Sequence, residues 1–298
     1  MKPAPIVLFV YNRPYHTRQT VEALRKNELA SESELFIYSD APKNSEAKQA
    51  VKEVREYIRT IDGFKKVTII EREKNWGLAA NIIDGVTKIV NEYGKIIVLE
   101  DDLVTSPYFL KFMNEALIMY ENDSRVASIH GYIYPIEGLP LTFFIKGADC
   151  WGWATWKRAW EHFEKDGQKL LDEVNKRNLQ KEIDFNGMMP YVKMLQDQIV
   201  GKNNSWAVRW HISAFLKDML TLYPSQTYVQ NIGLDNSGTH CKGGGDIYTA
   251  ELCTRMTLNK IEIKEDLYSK EKMALFFKSV NKNTYYEKIK SLIQKVLR

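Results

Sequence analysis

Cysteine is scarce in this 298-residue chain: Cys150, Cys241 and Cys253 are an odd number with no metal-ligand spacing. They read as free thiols in a reducing compartment, which excludes a disulfide framework and a cysteine-held zinc site. No apolar run reaches the roughly 18 residues that cross a bilayer. The opening Met1-Lys2-Pro3-Ala4-Pro5-Ile6 lacks the apolar core of a signal peptide. These absences predict a cytoplasmic protein, so the glycosylation sequon Asn203-Asn204-Ser205 carries no weight. A dense basic run is missing too. The formal charge of +4 is dispersed, which argues against nucleic acid as a partner. A modest positive balance still suits phosphorylated ligands or an anionic membrane surface. Repeats and low-complexity tracts are absent.

What is present is ordinary globular material, 44% hydrophobic and 27% charged, enough to bury a core in one large α/β domain without staples. The first half alternates short β-rich runs with helical patterns, which predicts parallel strands joined by helices. Ile6-Val7-Leu8-Phe9-Val10 is apolar throughout, as a strand buried on both faces requires. Further strands are predicted at Leu35 to Tyr38, Val67 to Ile70 and Ile96 to Leu99. Helices are expected at His16 to Lys26 with Thr17 as N-cap, Ala47 to Thr60, Leu78 to Tyr93 and Pro107 to Tyr120. From about Ala127 the pattern loses regularity. Gly243-Gly244-Gly245 marks a loop. The lysine-rich stretch Lys270 to Arg298 reads as a terminal helix with Ile289, Leu292, Ile293, Val296 and Leu297 on one face. A peripheral membrane contact through that face is the second reading.

The polar clusters follow strand ends, where open α/β sheets bind ligands. Tyr11-Asn12-Arg13, Asp40 and Glu100-Asp101-Asp102 are expected to converge there. Three acids at the tip of a buried strand repel one another unless a cation or hydrogen bonds intervene. Hard divalent cations prefer oxygen ligands, and such an ion neutralises a diphosphate leaving group. The competing reading is an acidic helix N-terminus ahead of Pro107. Asp40 suits a ribose hydroxyl or the imide edge of a base, or else closes an Asx-turn before Pro42. In Asn75-Trp76-Gly77-Leu78-Ala79-Ala80-Asn81, Gly77 permits close approach to a ligand and Asn81 offers a side-chain amide. Alternatively, Asn75 simply caps the helix. Trp151-Gly152-Trp153 and the segment Trp206, Arg209, Trp210 offer aromatic faces for sugars, or fill the core. His240 stands in a polar loop, as a second metal ligand, a phosphate donor or a plain loop histidine.

Phe9-Val10-Tyr11-Asn12-Arg13-Pro14, Asn75 to Asn81 and Leu99-Glu100-Asp101-Asp102-Leu103 resemble bacterial family 2-type glycosyltransferases of GT-A fold. More narrowly, the order of elements is similar to the Golgi N-acetylglucosaminyltransferase I family, whose Glu-Asp-Asp is followed by a Pro-Xaa-Phe helix start, here Pro107-Tyr108-Phe109. The likeness runs over about residues 5 to 240. It implies a mostly parallel central sheet in a GT-A (Rossmann-like) fold. Residues 1–125 would form the nucleotide-sugar-binding half, 126–258 the acceptor half, and 259–298 a helical C-terminal extension.

By the same resemblance, Arg13, Asp40, Asp101, Gly152 and Trp153 belong to the donor site, and Tyr11, Asn12, Gly77, Asn81, Glu100 and Trp151 are expected beside them. Asp102 becomes the direct ligand of Mn²⁺ or Mg²⁺, with His240 as a second. The family's base is an aspartate just before a tryptophan. Here Asn204-Ser205 precedes Trp206 and neither is a carboxylate, so Asp197 and Asp149 stand as substitutes. The implied reaction is inverting transfer from a UDP-linked hexose or N-acetylhexosamine to a glycan, polysaccharide or lipid-linked acceptor. The enzyme would lie in the cytoplasm, with possible contact at the inner membrane face. A haloacid-dehalogenase-type phosphohydrolase is disfavoured, because its nucleophile position falls on Glu100. The missing aspartate before Trp206 leaves a second alternative, a non-catalytic carbohydrate-binding protein on a degenerate fold.

Overall fold

The computed structural model describes residues 2–235 and 245–280. His240, Cys241 and the apolar face from Ile289 to Leu297 lie outside the described residues, as do Gly243 and Gly244. In chain order the strands are β1 (Ile6–Val10), β2 (Glu34–Ser39), β3 (Lys66–Glu71), β4 (Lys95–Glu100), β5 (Leu103–Thr105), β6 (Val126–His130), β7 (Thr142–Lys146), β8 (Trp153–Trp156), β9 (Leu220–Pro224) and β10 (Val229–Asn231). The helices are α1 (Pro14–Arg25), α2 (Ala47–Ile58), α3 (Leu78–Tyr93), α4 (Phe109–Met119), α5 (Lys157–Trp160), α6 (Gly167–Lys176), α7 (Gln180–Ile183), α8 (Tyr191–Ile199) and α9 (Trp206–Leu216). A further helix covers 267–280. Among the described residues, no helix is long and apolar enough to cross a membrane.

An eight-stranded sheet runs in the order β3-β2-β1-β4-β8-β6-β9-β7. Neighbours β3, β2, β1 and β4 are parallel, as are β6 and β9; β8 and β7 run against their neighbours. The sheet is therefore mixed but mostly parallel. Its β1 strand explains the continuous apolar run at Ile6 to Val10. Ile6, Leu8 and Val10 pack into one core with α1, α2 and α4, while Val7 and Phe9 enter a second core with α3, α5 and α9. A strand covered on both faces has no position at which water would reward a polar side chain.

The first-half elements match the periodicity, with adjustments at helix starts. The first helix begins at Pro14 rather than His16, because proline lacks the N–H that a first helical turn leaves unpaired. Thr17 is accordingly not its N-cap. It lies inside the helix, and its hydroxyl donates back to the Arg13 carbonyl at 2.9 Å. After Glu100 the chain turns directly into β5, which pairs antiparallel with β10. That ribbon separates the three acids from α4, which starts at Phe109. The acids therefore do not form a helix N-terminus.

The second half hides its strands in the sequence. Trp153-Ala154-Thr155-Trp156 reads as an aromatic cluster, yet it is β8, inserted antiparallel between β4 and β6. An outer layer of α6, α7 and α8 packs on α9 through Leu170, Val174, Val192, Leu195, Ile212 and Phe215. The helix over 267–280 packs by Met273 and Phe277 against Tyr134, Phe143 and Phe185.

Candidate active site

Strand register brings the polar turns together. Phe9 lies opposite Glu100 and Val10 opposite Ser39, so the residues that follow β1, β2 and β4 leave the sheet side by side at its carboxyl edge. At that edge Arg13 reaches across to the turn after β4. Its Nη2 donates to Asp101 Oδ1 at 2.5 Å and to Asp102 Oδ2 at 2.8 Å. The other Asp101 oxygen accepts the Tyr11 N–H at 3.2 Å, and the Thr20 hydroxyl holds the Asp101 carbonyl at 2.9 Å. Asp101 is thus enclosed and held from three directions. Arg13 Nη1, also enclosed, has no hydrogen-bond partner among the described residues. Asn12 lies in the short turn between β1 and α1.

Charge balance in this cluster is unequal. Three carboxyls face one guanidinium, and burial together with the charges of Asp102 and Asp101 pushes the Glu100 carboxyl up to about 8. Asp102 is the most exposed member of the Asp101–Asp102 pair, at 16% against 6%. Gly233, just past β10, lies so close that a Cβ there would collide with the Asp102 carboxylate. Only glycine allows the β10 end to cover this side of the acid cluster.

Asp40 has a different position from a free ligand-reading carboxylate. Its Oδ1 accepts the N–H groups of Ala41 and Trp76, both at 2.9 Å. Its Oδ2 accepts Gly77 N–H at 2.8 Å and the Asn75 amide at 3.1 Å. Three of these four bonds pin the loop before α3, and the fourth closes its own turn at Ala41. Gly77, at φ +75°, leaves open space where a Cβ would stand. Tyr11 ties the neighbouring turn in, its hydroxyl accepting the Lys43 N–H at 3.0 Å. Asn81 is not an open amide: it is buried, and its Oδ1 accepts from Arg72 Nε at 2.9 Å. Arg72 also bonds Asp84 and lies 3.9 Å from the Trp76 ring.

The segment before β8 reaches the same edge, since Trp153 pairs with Val98, two residues before Glu100. Asp149 in this segment stands in a dense polar surround. Its Oδ1 accepts the Cys150 N–H at 2.8 Å, the Tyr223 hydroxyl hydrogen-bonds to it, and its Oδ2 lies 3.8 Å from Nε2 of buried His130. The backbone carrying it is clamped: Thr221 donates to the Gly147 carbonyl at 2.7 Å, and His211 Nδ1 bonds the Ala148 carbonyl at 2.8 Å. Gly147 has φ +94° and the His211 ring fills the space of its missing Cβ. Burial holds both His130 and His211 below their ordinary pKa, so both are neutral at physiological pH.

Other expected site residues fall elsewhere. Asp197 is on outer helix α8, paired with Lys193 and Lys202. The Lys193 hydrogen bond holds its carboxyl below the ordinary range, the reverse of what a base tuned by burial needs. Trp206 and Trp210 are no acceptor wall: they are 3% and 0% exposed and pack with Trp153 and Trp160 in the core between the sheet and α9. Trp153 is likewise core rather than sugar pocket. Gly152 faces Val229 of β10. Trp151 is half-buried, edge-on to Tyr132 at 4.7 Å. Arg209 donates to the Ser205 and Lys165 carbonyls and lines a surface cleft of about 470 Å³ with Asp84, Thr87 and Lys88. Among the described residues no group of three or more His, Cys, Asp or Glu is arranged around a metal position.

His130, Tyr223, His211 and Gly233 escape a reading of the sequence. Of these, His130 alone carries a local signal, a histidine closing the apolar run Val126-Ala127-Ser128-Ile129.

No curated protein matches the chain. Among solved structures, it is similar to S. aureus TarS at 12% identity and TM-score 0.40, over 76% of this chain and 36% of that one. The chain thus spans about a third of the length of that protein. It is also similar to the mannosyltransferase PcManGT of Pyrobaculum calidifontis, solved with GDP-Man and Mn²⁺, at 12% identity and TM-score 0.39, over 72% and 70% of the two chains. A UDP-glucose pyrophosphorylase complexed with UDP-glucose matches at 14% identity and TM-score 0.36, over 74% and 90%. The family model described as glycosyl transferase family 2 matches residues 6–186, more than half of the sequence. The chain therefore belongs to glycosyl transferase family 2.

Proposed function

We propose that this enzyme moves a hexosyl or N-acetylhexosaminyl group from a UDP-linked donor to a glycan, polysaccharide or lipid-linked acceptor, with inversion. The observation that carries the reading is the charge imbalance at the carboxyl edge, where Glu100, Asp101 and Asp102 face the single guanidinium of Arg13. A Glu-Asp-Asp followed by a Pro-Xaa-Phe turn also supports the narrower likeness to N-acetylglucosaminyltransferase I.

The donor set fits a hard divalent cation. Its oxygens belong to three carboxyl groups beside one guanidinium, and Asp102 retains an oxygen that Arg13 does not bond. Asp102 would hold Mn²⁺ or Mg²⁺, with Glu100 close by and the diphosphate completing the shell. When bound, the ion supplies Lewis-acid neutralisation of the leaving diphosphate. Arg13 Nη1 is free to donate to a phosphate oxygen, and its Nη2 aims Asp101 and Asp102. Asp40 acts at one remove, shaping the Asn75–Gly77 loop so that backbone at Gly77 can approach the nucleotide.

Asp149 is the base in this reading. It removes the proton of the acceptor hydroxyl while that oxygen attacks the anomeric carbon in line. Three neighbouring elements hold it, as a group that must be aimed to within a fraction of an ångström requires. The half-buried Trp151 beside it offers an aromatic surface to the sugar. We place the reaction in the cytoplasm, and a peripheral contact of the lysine-rich stretch Lys270 to Arg298 with an anionic membrane face is the second reading of that stretch beside a plain terminal helix.

A thermal-shift screen of nucleotide-sugars with Mn²⁺ present tests the donor class. UDP-linked sugars should raise the melting temperature and do so less without the metal. Stabilisation by another nucleotide alone would overturn the UDP assignment.

A further inference from the structure

His130 ends β6 fully enclosed, and neither of its ring nitrogens has a hydrogen-bond partner among the described residues. Enclosed polar groups are nearly always paired, and one that is not calls for an explanation. Its Nε2 faces Asp149 Oδ2 at 3.8 Å. That is too long for a hydrogen bond, but a small turn of either side chain closes it. Around the same carboxylate stand the Cys150 N–H and the Tyr223 hydroxyl. The Tyr223 ring also lies 4.9 Å from the imidazole, so β9 holds both members of the pair.

We propose that His130 is the positioning partner of Asp149: its Nε2–H closes onto Oδ2 when the acceptor engages the carboxylate, and fixes the orientation in which the proton is taken. The inference rests on the reading of Asp149 as the base. In the step itself the acceptor O–H bond breaks and its proton passes to an Asp149 oxygen. The oxygen's electron pair forms the bond to the anomeric carbon. The sugar–phosphate bond breaks with its electrons on the diphosphate. His130 keeps its own proton throughout. A carboxylate facing Nε2 selects the tautomer protonated there and leaves Nδ1 the bare nitrogen.

Other titratable groups face the pair. Tyr132 and Tyr134 follow β6, Tyr191 comes from α8, Tyr223 from β9 and His211 from α9, with the Cys150 thiol adjoining Asp149 in the chain. Burial raises the four tyrosines and lowers His211, so these are neutral at physiological pH.

The test is long-range ¹H–¹⁵N NMR of the imidazole nitrogens in the full-length protein and in its Asp149→Asn variant. The inference expects His130 neutral with the proton on Nε2, and an Nε2 resonance that moves in Asp149→Asn. A proton on Nδ1, or an Nε2 signal indifferent to that substitution, overturns it. Kinetics give a second arm. His130→Phe should lower kcat about tenfold or more with KM unchanged, because the carboxylate loses the donor that aims it. His130→Gln, which retains an N–H, should recover most of the rate. Asp149→Asn inactive with His130→Phe normal would remove His130 alone. Asp149→Asn fully active would remove the base reading itself.

Discussion

Arg13 Nη2 bridges two carboxylates at once, bonding Asp101 at 2.5 Å and Asp102 at 2.8 Å from a position at the first turn of the neighbouring βα unit. One guanidinium nitrogen therefore couples the turn after β1 to the turn after β4. A lysine ammonium has no planar fork and cannot reproduce this geometry together with a second donor for a phosphate. Arg13→Lys should weaken donor binding and lower stability by up to about 3 kcal/mol, the lower end of what breaking a largely buried pair costs. Urea unfolding measures the second effect. An unchanged midpoint would mean that the bridge contributes nothing net.

Glu100 predicts a pH signature. Its carboxyl sits near 8 in the folded chain against about 4.3 in an unfolded one, so the folded state binds more protons between those values. Stability from this group is fully present below the unfolded pKa and is lost as pH rises toward 8. Glu100→Gln should flatten the fall of melting temperature between about pH 4.5 and 8. An equally steep fall in the variant would contradict the assignment.

Asp149 and Asp197 separate cleanly by substitution. Asp149→Asn should lower kcat by about 10²- to 10⁴-fold, the range of a lost general base. Asp197→Asn exchanges a half-buried partner of two lysines on outer helix α8 and should leave turnover near the native rate. Transfer assays on both variants decide, and a large loss in Asp197→Asn would reverse the roles.

How much of this was legible beforehand differs along the chain. From β1 to β4 strands alternate with helices and β1, β2 and β4 are buried, so apolar runs and helical spacing carried the architecture, and strand ends marked the edge that Arg13, Asp40 and the acids share. Beyond residue 127 the strands are short or antiparallel, and their aromatic residues serve core and sites alike. Trp206 and Trp210 pack on Trp153, yet nothing in their spacing distinguishes that from a sugar platform. The surround of Asp149 joins β6, β9, α8 and α9, and such long-range company leaves no local pattern. Asp197 failed for the complementary reason, since proximity to Trp206 in sequence did not bring it to the sheet edge.

Asp40 should behave as an architectural residue. Its carboxylate accepts two N–H groups and an amide from the Asn75–Gly77 loop. Asp40→Ala leaves those donors unpaired and should cost about 1–3 kcal/mol, with faster hydrogen exchange at Trp76 and Gly77. Exchange at the native rate would show that the loop stands without it.

The central claim is that Asp102, at the tip of β4, holds a divalent cation against the diphosphate of a nucleotide-sugar. UDP release from UDP-sugars, followed with and without Mn²⁺ in the native enzyme and in Asp102→Ala, tests it most directly. The prediction is metal-dependent release that Asp102→Ala abolishes. Release at the native rate in Asp102→Ala, or release indifferent to Mn²⁺ and Mg²⁺, would contradict it.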